Sequence, residues 1–248
     1  MEAGRGSRGA GVLPGFVVVL AAIAGVSYTA WILEFLLSPD IDVVDGYVSE
    51  LSARGQPYHQ VFSAGDFVTG VLTVGVALAA LFMLRRRPWA VLGWSCLLLF
   101  GVWAIGDSAF SMDCAPSIDT ACALRERADR VSFSHQFHSV TSSMAIFFGI
   151  AALLALSIGA RRYGWWPALA RWGWLLALTE TVLSLATLVL MYFGVWLGLA
   201  QRLQISVLCM GLLVIAWALY TDWLRHRQAC AALAPIRPPR EKAGSTPP

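Results

Sequence analysis

An all-α fold, a bundle of six transmembrane helices with both termini in the cytoplasm, is what this chain of 248 residues predicts. Hydrophobic residues make up 58% of it and charged residues 13%, far from the about 45–50% and about 25% of soluble domains. The apolar residues gather into six windows, each near the roughly 20 residues that cross about 30 Å of hydrocarbon. The runs are continuous, whereas a barrel would alternate, so each must be a helix that satisfies its own backbone hydrogen bonds.

The windows are 14–37, 61–84, 89–110, 134–158, 173–198 and 201–224. The first follows Arg5 and Arg8, as a signal peptide would, but its apolar run continues without a small-x-small cleavage site and is read as a span. Arg85, Arg86 and Arg87 separate the second from the third, and Asp107 closes the third. The fourth opens on "SHQFHSVTSS" and ends at Arg161 and Arg162. Trp172 and Trp174 mark the start of the fifth, and Tyr192 and Trp196 its end, the depth at which aromatic residues collect. The sixth carries Arg202 at its start and stops just before Arg225.

Basic residues orient the bundle, because Lys and Arg beside short loops stay on the cytoplasmic side. Thirteen of them fall on the side that holds both termini and five on the other. The reading is therefore a multi-pass protein of the plasma (inner) membrane, with a cytoplasmic segment 1–13, a membrane domain 14–224 and a basic, Pro-rich disordered cytoplasmic tail 225–248. No soluble or nucleic-acid-binding module is left over. Cys114 and Cys122 share an outer loop on the oxidising side, where a disulfide is expected and two free thiols are the alternative.

Acidic residues concentrate in two outer loops, about 38–60 and 111–133. From that side, polar groups descend into several spans at helical spacing. His135, His138, Ser139 and Ser142 fall on one face of the fourth; Ser63, Asp66 and Thr73 on one face of the second; and Arg202, Ser206 and Cys209 on one face of the sixth. A charge inside the bilayer costs on the order of 3 kcal/mol, so such groups turn toward the bundle interior. An outward-opening pocket lined by Glu34, Asp66, Asp107, His135, His138, Ser142 and Arg202 is expected; the alternative is that each group sits singly in the headgroup layer. Glu180, eight residues beyond Trp172, is read as a polar clasp between helices, with a proton relay as the alternative. "GVWLG" at 194–198 is a lone GxxxG pattern for close helix packing, and neither an internal repeat nor a broken helix is evident.

"YVSELSARGQP", "GDFVTG", "FSMDCA", "HQFHS" and "GLAQRLQ" together resemble the domain-of-unknown-function 998 family of bacterial polytopic membrane proteins, over about 14–224. Ser111 stands where family members often carry proline. The resemblance implies a six-helix bundle and brings no activity with it. A looser chemical likeness is to the alkaline ceramidases and adiponectin receptors, which hold zinc between helices with three histidines, an Asp and a Ser. It implies zinc as a cofactor here, with His135, His138, His59 and Asp107 as ligands and a bound water activated toward lipid amides.

Three functions are consistent with these residues. The first is a pocket that binds a cation, a proton or a lipid headgroup. The second is a metal-dependent lipid hydrolase of the amidase kind, and the third an accessory subunit whose outer loops dock a protein partner. Ser-His-Asp elbows, Gly-rich phosphate loops and zinc-ribbon cysteine pairs are absent from the sequence.

Overall fold

A computed structural model describes residues 10–37 and 40–233. Among these residues every regular element is a helix, and there is no strand. Five helices are long and apolar enough to cross a membrane, and a sixth span is completed if a bent pair of helices counts as one. Arg5, Arg8 and residues 234–248 of the predicted tail lie outside the described residues.

The first window is divided. Helix α1 (Gly15–Ser27) ends at Tyr28, and a 3-10 turn (Ala30–Leu33) with the short α2 (Glu34–Leu37) continues at 44° to it. No proline causes the bend. Instead, the Thr29 backbone N–H and side-chain hydroxyl both turn back to the Val26 carbonyl, tightening the last turn. The apolar run hides this break from a window average.

Helix α3 (His59–Met83) and α4 (Pro88–Ala109) match the second and third windows, and α4 starts with proline at its first turn, where no intrahelical N–H partner is lost. In the second of the two loops expected to face outward, named the outer loops for that expectation, α5 (Thr120–Arg127) is capped by Asp119, whose carboxylate accepts from the Ala121 and Cys122 N–H groups. Helix α6 (Phe133–Tyr163) carries Ser132 as its N-cap and ends on Gly164 at φ +68°. A π-helical turn (Leu169–Gly173) leads into α7 (Trp174–Phe193), so the fifth span lies about a turn earlier than its window. Helix α8 (Leu197–Ala232) continues past the predicted span end at 224, so the tail predicted to be disordered from 225 is helical through Ala232.

The spans form a closed ring in chain order: α1 packs on α3, α3 on α4, α4 on α6, α6 on α7, α7 on α8, and α8 returns to α1. The core between them is made of small and aliphatic residues with Trp94, Phe100 and Trp166. Where α3 meets α4, Gly70 and Gly101 face each other; a Cβ on Gly70 would stand 2.7 Å from the Gly101 carbonyl oxygen, so only glycine permits this approach. Gly194, by contrast, caps α7 at φ +68°, and Gly198 opens α8 against the Val43 and Gly46 carbonyls. "GVWLG" is thus a turn followed by a loop contact, because the helix that a GxxxG face requires is interrupted inside it.

Both outer loops fold down onto one end of the ring. The Trp196 N–H donates to Asp45, the Val48 N–H to Gln201, and the Arg54 N–H to the Met112 carbonyl. Glu50 is fully buried between the loops and accepts from the Ser117 N–H at 2.9 Å and from the Ser117 hydroxyl. Burial pushes the Glu50 carboxyl up, against the opposing pull of the two Ser117 donors. Cys114 and Cys122 form a disulfide, with Cα atoms 6.1 Å apart, that ties α5 to the start of its loop.

Candidate functional site

Beneath the outer loops lies a cavity of about 100 Å³, walled by the α1 break, the 3-10 turn Val48–Ser52, and α3, α4, α6 and α8. A single water needs roughly 10–15 Å³ on this measure. Four of the seven residues expected to line a pocket do line this one: Asp66, Asp107, His138 and Ser142. The other three are placed elsewhere, each for a physical reason.

Glu34 and Arg202 hold each other. Arg202 Nε donates to Glu34 Oε1 at 2.7 Å and Nη2 to Oε2 at 2.5 Å, while Nη1 reaches the Val43 and Gly46 carbonyls at 3.0 and 2.9 Å. Both side chains are about 3% exposed. The guanidinium fork satisfies a carboxylate and two loop carbonyls at once, so Arg202 clamps the first outer loop to α8 and does not line the cavity. His135 faces the second outer loop. Its Nδ1 accepts the Asp113 N–H at 3.1 Å, and its Nε2 lies 3.5 Å from Glu126. Asp113 itself accepts from the Ser132 N–H and hydroxyl at 2.7 and 2.6 Å; burial raises its carboxyl, but these donors prevail and hold it below the ordinary range.

His138 has the opposite tautomer. Its Nδ1 stands 2.8 Å from the Phe110 carbonyl and 3.3 Å from Asp107 Oδ1, two acceptors, so the neutral ring carries its proton there. Nε2 is then a lone pair on the cavity side, 3.4 Å from the Ser142 hydroxyl, which itself donates to Asp107 at 2.7 Å. Thr141 donates to the same Asp107 oxygen at 2.6 Å. Asp107 is well held by its neighbours. Asp66 differs: among the described residues no hydrogen-bond donor meets its carboxylate, and its electrostatic neighbour is Asp107. No Lys or Arg lines the cavity to offset the two acids.

Several lining residues escaped the sequence reading. Tyr28 and Trp31 enter through the break after α1, and Val48, Ser49, Leu51 and Ser52 of the first outer loop cover the top. On α8 the lining stripe is Gln201, Gln204 and Ile205, about 100° around the helix from the expected Arg202, Ser206 and Cys209. The glutamines carried a sign of this, being i, i+3 polar residues inside an apolar window. Gln204 donates to Ser184 at 2.8 Å and accepts from Thr187 at 3.2 Å, fixing α7 to α8 behind the cavity. Glu180, fully buried on α7, has no hydrogen-bond partner at bonding geometry for either oxygen, with the Gln204 amide its facing polar group.

The proposed zinc ligands do not gather into one set. His135 and His138 point into separate networks, and His59 sits at the first residue of α3, outside the cavity lining. Among the described residues, the one group of three His, Cys, Asp or Glu ligand atoms within 4.8 Å is Cys114, Asp119 and Cys122, whose sulfurs are bonded to each other. A three-histidine zinc centre does not fit this arrangement. What the cavity offers is one imidazole nitrogen, two carboxylates and hydroxyl or amide oxygens.

No curated protein and no solved structure matches the chain. Residues 7–218 match the family model described as Protein of unknown function (DUF998), and the chain belongs to that family.

Proposed function

We propose that this integral membrane protein binds a cation in the cavity under its outer loops. Asp66 carries the reading: an unpaired carboxylate beside a second one, in a lining without a basic side chain, has its charge deficit completed by a positively charged guest. The His138 Nε2 lone pair and the hydroxyls of Ser49, Ser52 and Ser142 supply further acceptors. The break after α1 adds to this, since the carbonyl end of a half-helix carries partial negative charge, and discontinuous helices line ion sites in membrane carriers. Tyr28, Trp31 and Phe62 give the wall aromatic faces that suit an ammonium headgroup as well as a bare ion.

Thermal unfolding of the purified protein with sodium, potassium, zinc, ethanolamine or tetramethylammonium chloride tests this. At least one cation is expected to raise the midpoint of the wild type and to leave Asp66→Asn unmoved. No shift from any of them, or the same shift in the variant, contradicts the reading.

We further propose six spans in the plasma membrane, with the cavity facing outward and both termini in the cytoplasm. The distribution of basic residues supports this orientation. Cys230 is the exposed free thiol near the end of α8, whereas Cys96 and Cys209 are buried. A membrane-impermeant maleimide is expected to label Cys230 only after cells are opened, and to reach Cys114 and Cys122 on intact cells only after reduction. Labelling of Cys230 on intact cells would reverse the orientation.

A further inference from the structure

Around the cation cavity, the protons of several polar side chains are already engaged inside the protein. The His138 proton sits on Nδ1, against the Phe110 carbonyl at 2.8 Å, which leaves Nε2 as a lone pair. The Ser142 hydroxyl donates to Asp107 at 2.7 Å, and the Ser52 hydroxyl to the Ser49 carbonyl at 2.9 Å. The Gln204 amide donates to Ser184, and the Trp31 indole N–H faces the Cys209 sulfur, both partners lying outside the cavity lining. What these groups leave for a guest is acceptor capacity: the His138 nitrogen, the Ser52 and Ser142 oxygens and the Asp66 carboxylate, which no donor meets among the described residues. A guest that completes them carries a positive charge and more than one N–H.

The remainder of the wall sorts the cations further. A bare divalent ion such as calcium takes about six to eight oxygen ligands, but one Asp107 oxygen is already occupied by the Thr141 and Ser142 hydroxyls, and most of the lining is hydrocarbon or aromatic, with Leu51, Phe62, Ala145, Ile146 and Ile205. A quaternary ammonium has no N–H to give to the open acceptors. A primary ammonium on an aliphatic chain uses both halves of the lining, since its three N–H groups meet acceptors and its methylenes leave water for an apolar wall. No Lys or Arg lines the cavity. A phosphate two carbons from the nitrogen, as in an ethanolamine phospholipid, would therefore lie near Asp66 and Asp107 with no counter-charge.

We infer that the guest is a primary aliphatic amine without a phosphate, its ammonium held by Asp66 and His138 Nε2 and its chain by the apolar wall. This rests on the cation-binding reading and narrows that reading to one chemical class.

The test is isothermal titration of the full chain in detergent with methyl-, ethyl-, propyl- and butylammonium, beside sodium, potassium, zinc, tetramethylammonium, phosphoethanolamine and uncharged 1-butanol. Affinity is expected to rise along the amine series by up to about fourfold for each methylene. Butylammonium is expected to bind at least about tenfold more tightly than tetramethylammonium, phosphoethanolamine or any of the metal ions, and Asp66→Asn to abolish its binding. Saturable binding of 1-butanol is not expected. A metal ion or tetramethylammonium that binds as tightly as butylammonium, and is lost in Asp66→Asn, overturns the amine assignment and leaves the cation reading standing. Phosphoethanolamine binding as tightly as butylammonium also overturns it, by moving the site to a lipid headgroup. So does an affinity that stays flat along the series, or 1-butanol binding as well as the amine. Absence of binding by every cation overturns the assignment and the cation reading together.

Discussion

Arg202 illustrates how one side chain can be charged, buried and remote from chemistry. Its guanidinium meets both Glu34 oxygens and two loop carbonyls, so truncating it leaves a buried carboxylate without a counter-charge. Arg202→Ala is expected to cost about 3–5 kcal/mol of unfolding free energy, and adding Glu34→Ala to it should cost much less than the sum of the two single changes. Denaturant unfolding of the two single variants and the double variant in detergent measures this; additive costs would mean that the pair is not coupled. Glu50 makes a prediction in pH. Burial raises its carboxyl in the folded protein, so the folded state holds that proton more tightly than the unfolded chain does. The matching stability is present below the ordinary glutamate range of about 4.3 and is lost as pH rises through the higher folded value. The wild-type thermal midpoint is expected to fall over that interval, and Glu50→Gln to flatten the fall. A midpoint that rises through the interval contradicts this account of Glu50. Neither role was legible in the sequence, since Arg202 reads as a pocket group and Glu50 as one more acid in an exposed loop until the loops are folded onto the helices.

At the scale of elements, the spans themselves were legible because each carries enough apolar residues to declare a helix on length alone. The ends were less so. Helix α8 runs on to Ala232 because Arg225, His226, Arg227 and Gln228 keep a helix-forming pattern after hydrophobicity has ceased, and a hydropathy window sees only the latter. The break after α1 was hidden for the converse reason: Tyr28, Thr29 and Ala30 are apolar enough to sustain the window while the backbone turns by 44°. Packing between elements rests on small residues more than on any large side chain. Gly101→Leu would drive its side chain into the Gly70 carbonyl and Val74 on α3, and is expected to destabilise by about 1–3 kcal/mol or more. Gly75→Leu, on the partner helix α3 but with open space at its Cβ, is expected to be near neutral. Thermal unfolding of the two variants side by side separates close packing from a general intolerance of bulk, and equal losses would argue against the Gly70–Gly101 approach.

For the whole molecule, the ring of helices decides which polar stripes converge, and this is where linear reading falls short. Spacing identified a polar face on α6, and His138 and Ser142 of that face do reach the cavity, yet His135, one turn earlier, meets the second outer loop instead. On α8 the choice between neighbouring stripes depended on a rotation that periodicity leaves free, and the arginine drew attention away from Gln201 and Gln204. The acids Asp66 and Asp107 were found because a carboxylate near an apolar run is expensive wherever it points. Removing Arg202 from the lining makes the cavity more acidic than the sequence suggested, which strengthens the case for a cationic guest. Isothermal titration of the purified protein with sodium, potassium, zinc, ethanolamine and tetramethylammonium in turn, wild type beside Asp66→Asn, measures that case most directly. Saturable binding of at least one of them near one per chain, abolished by the substitution, is the predicted result. No binding of any of them, or equal binding by the two proteins, would contradict it.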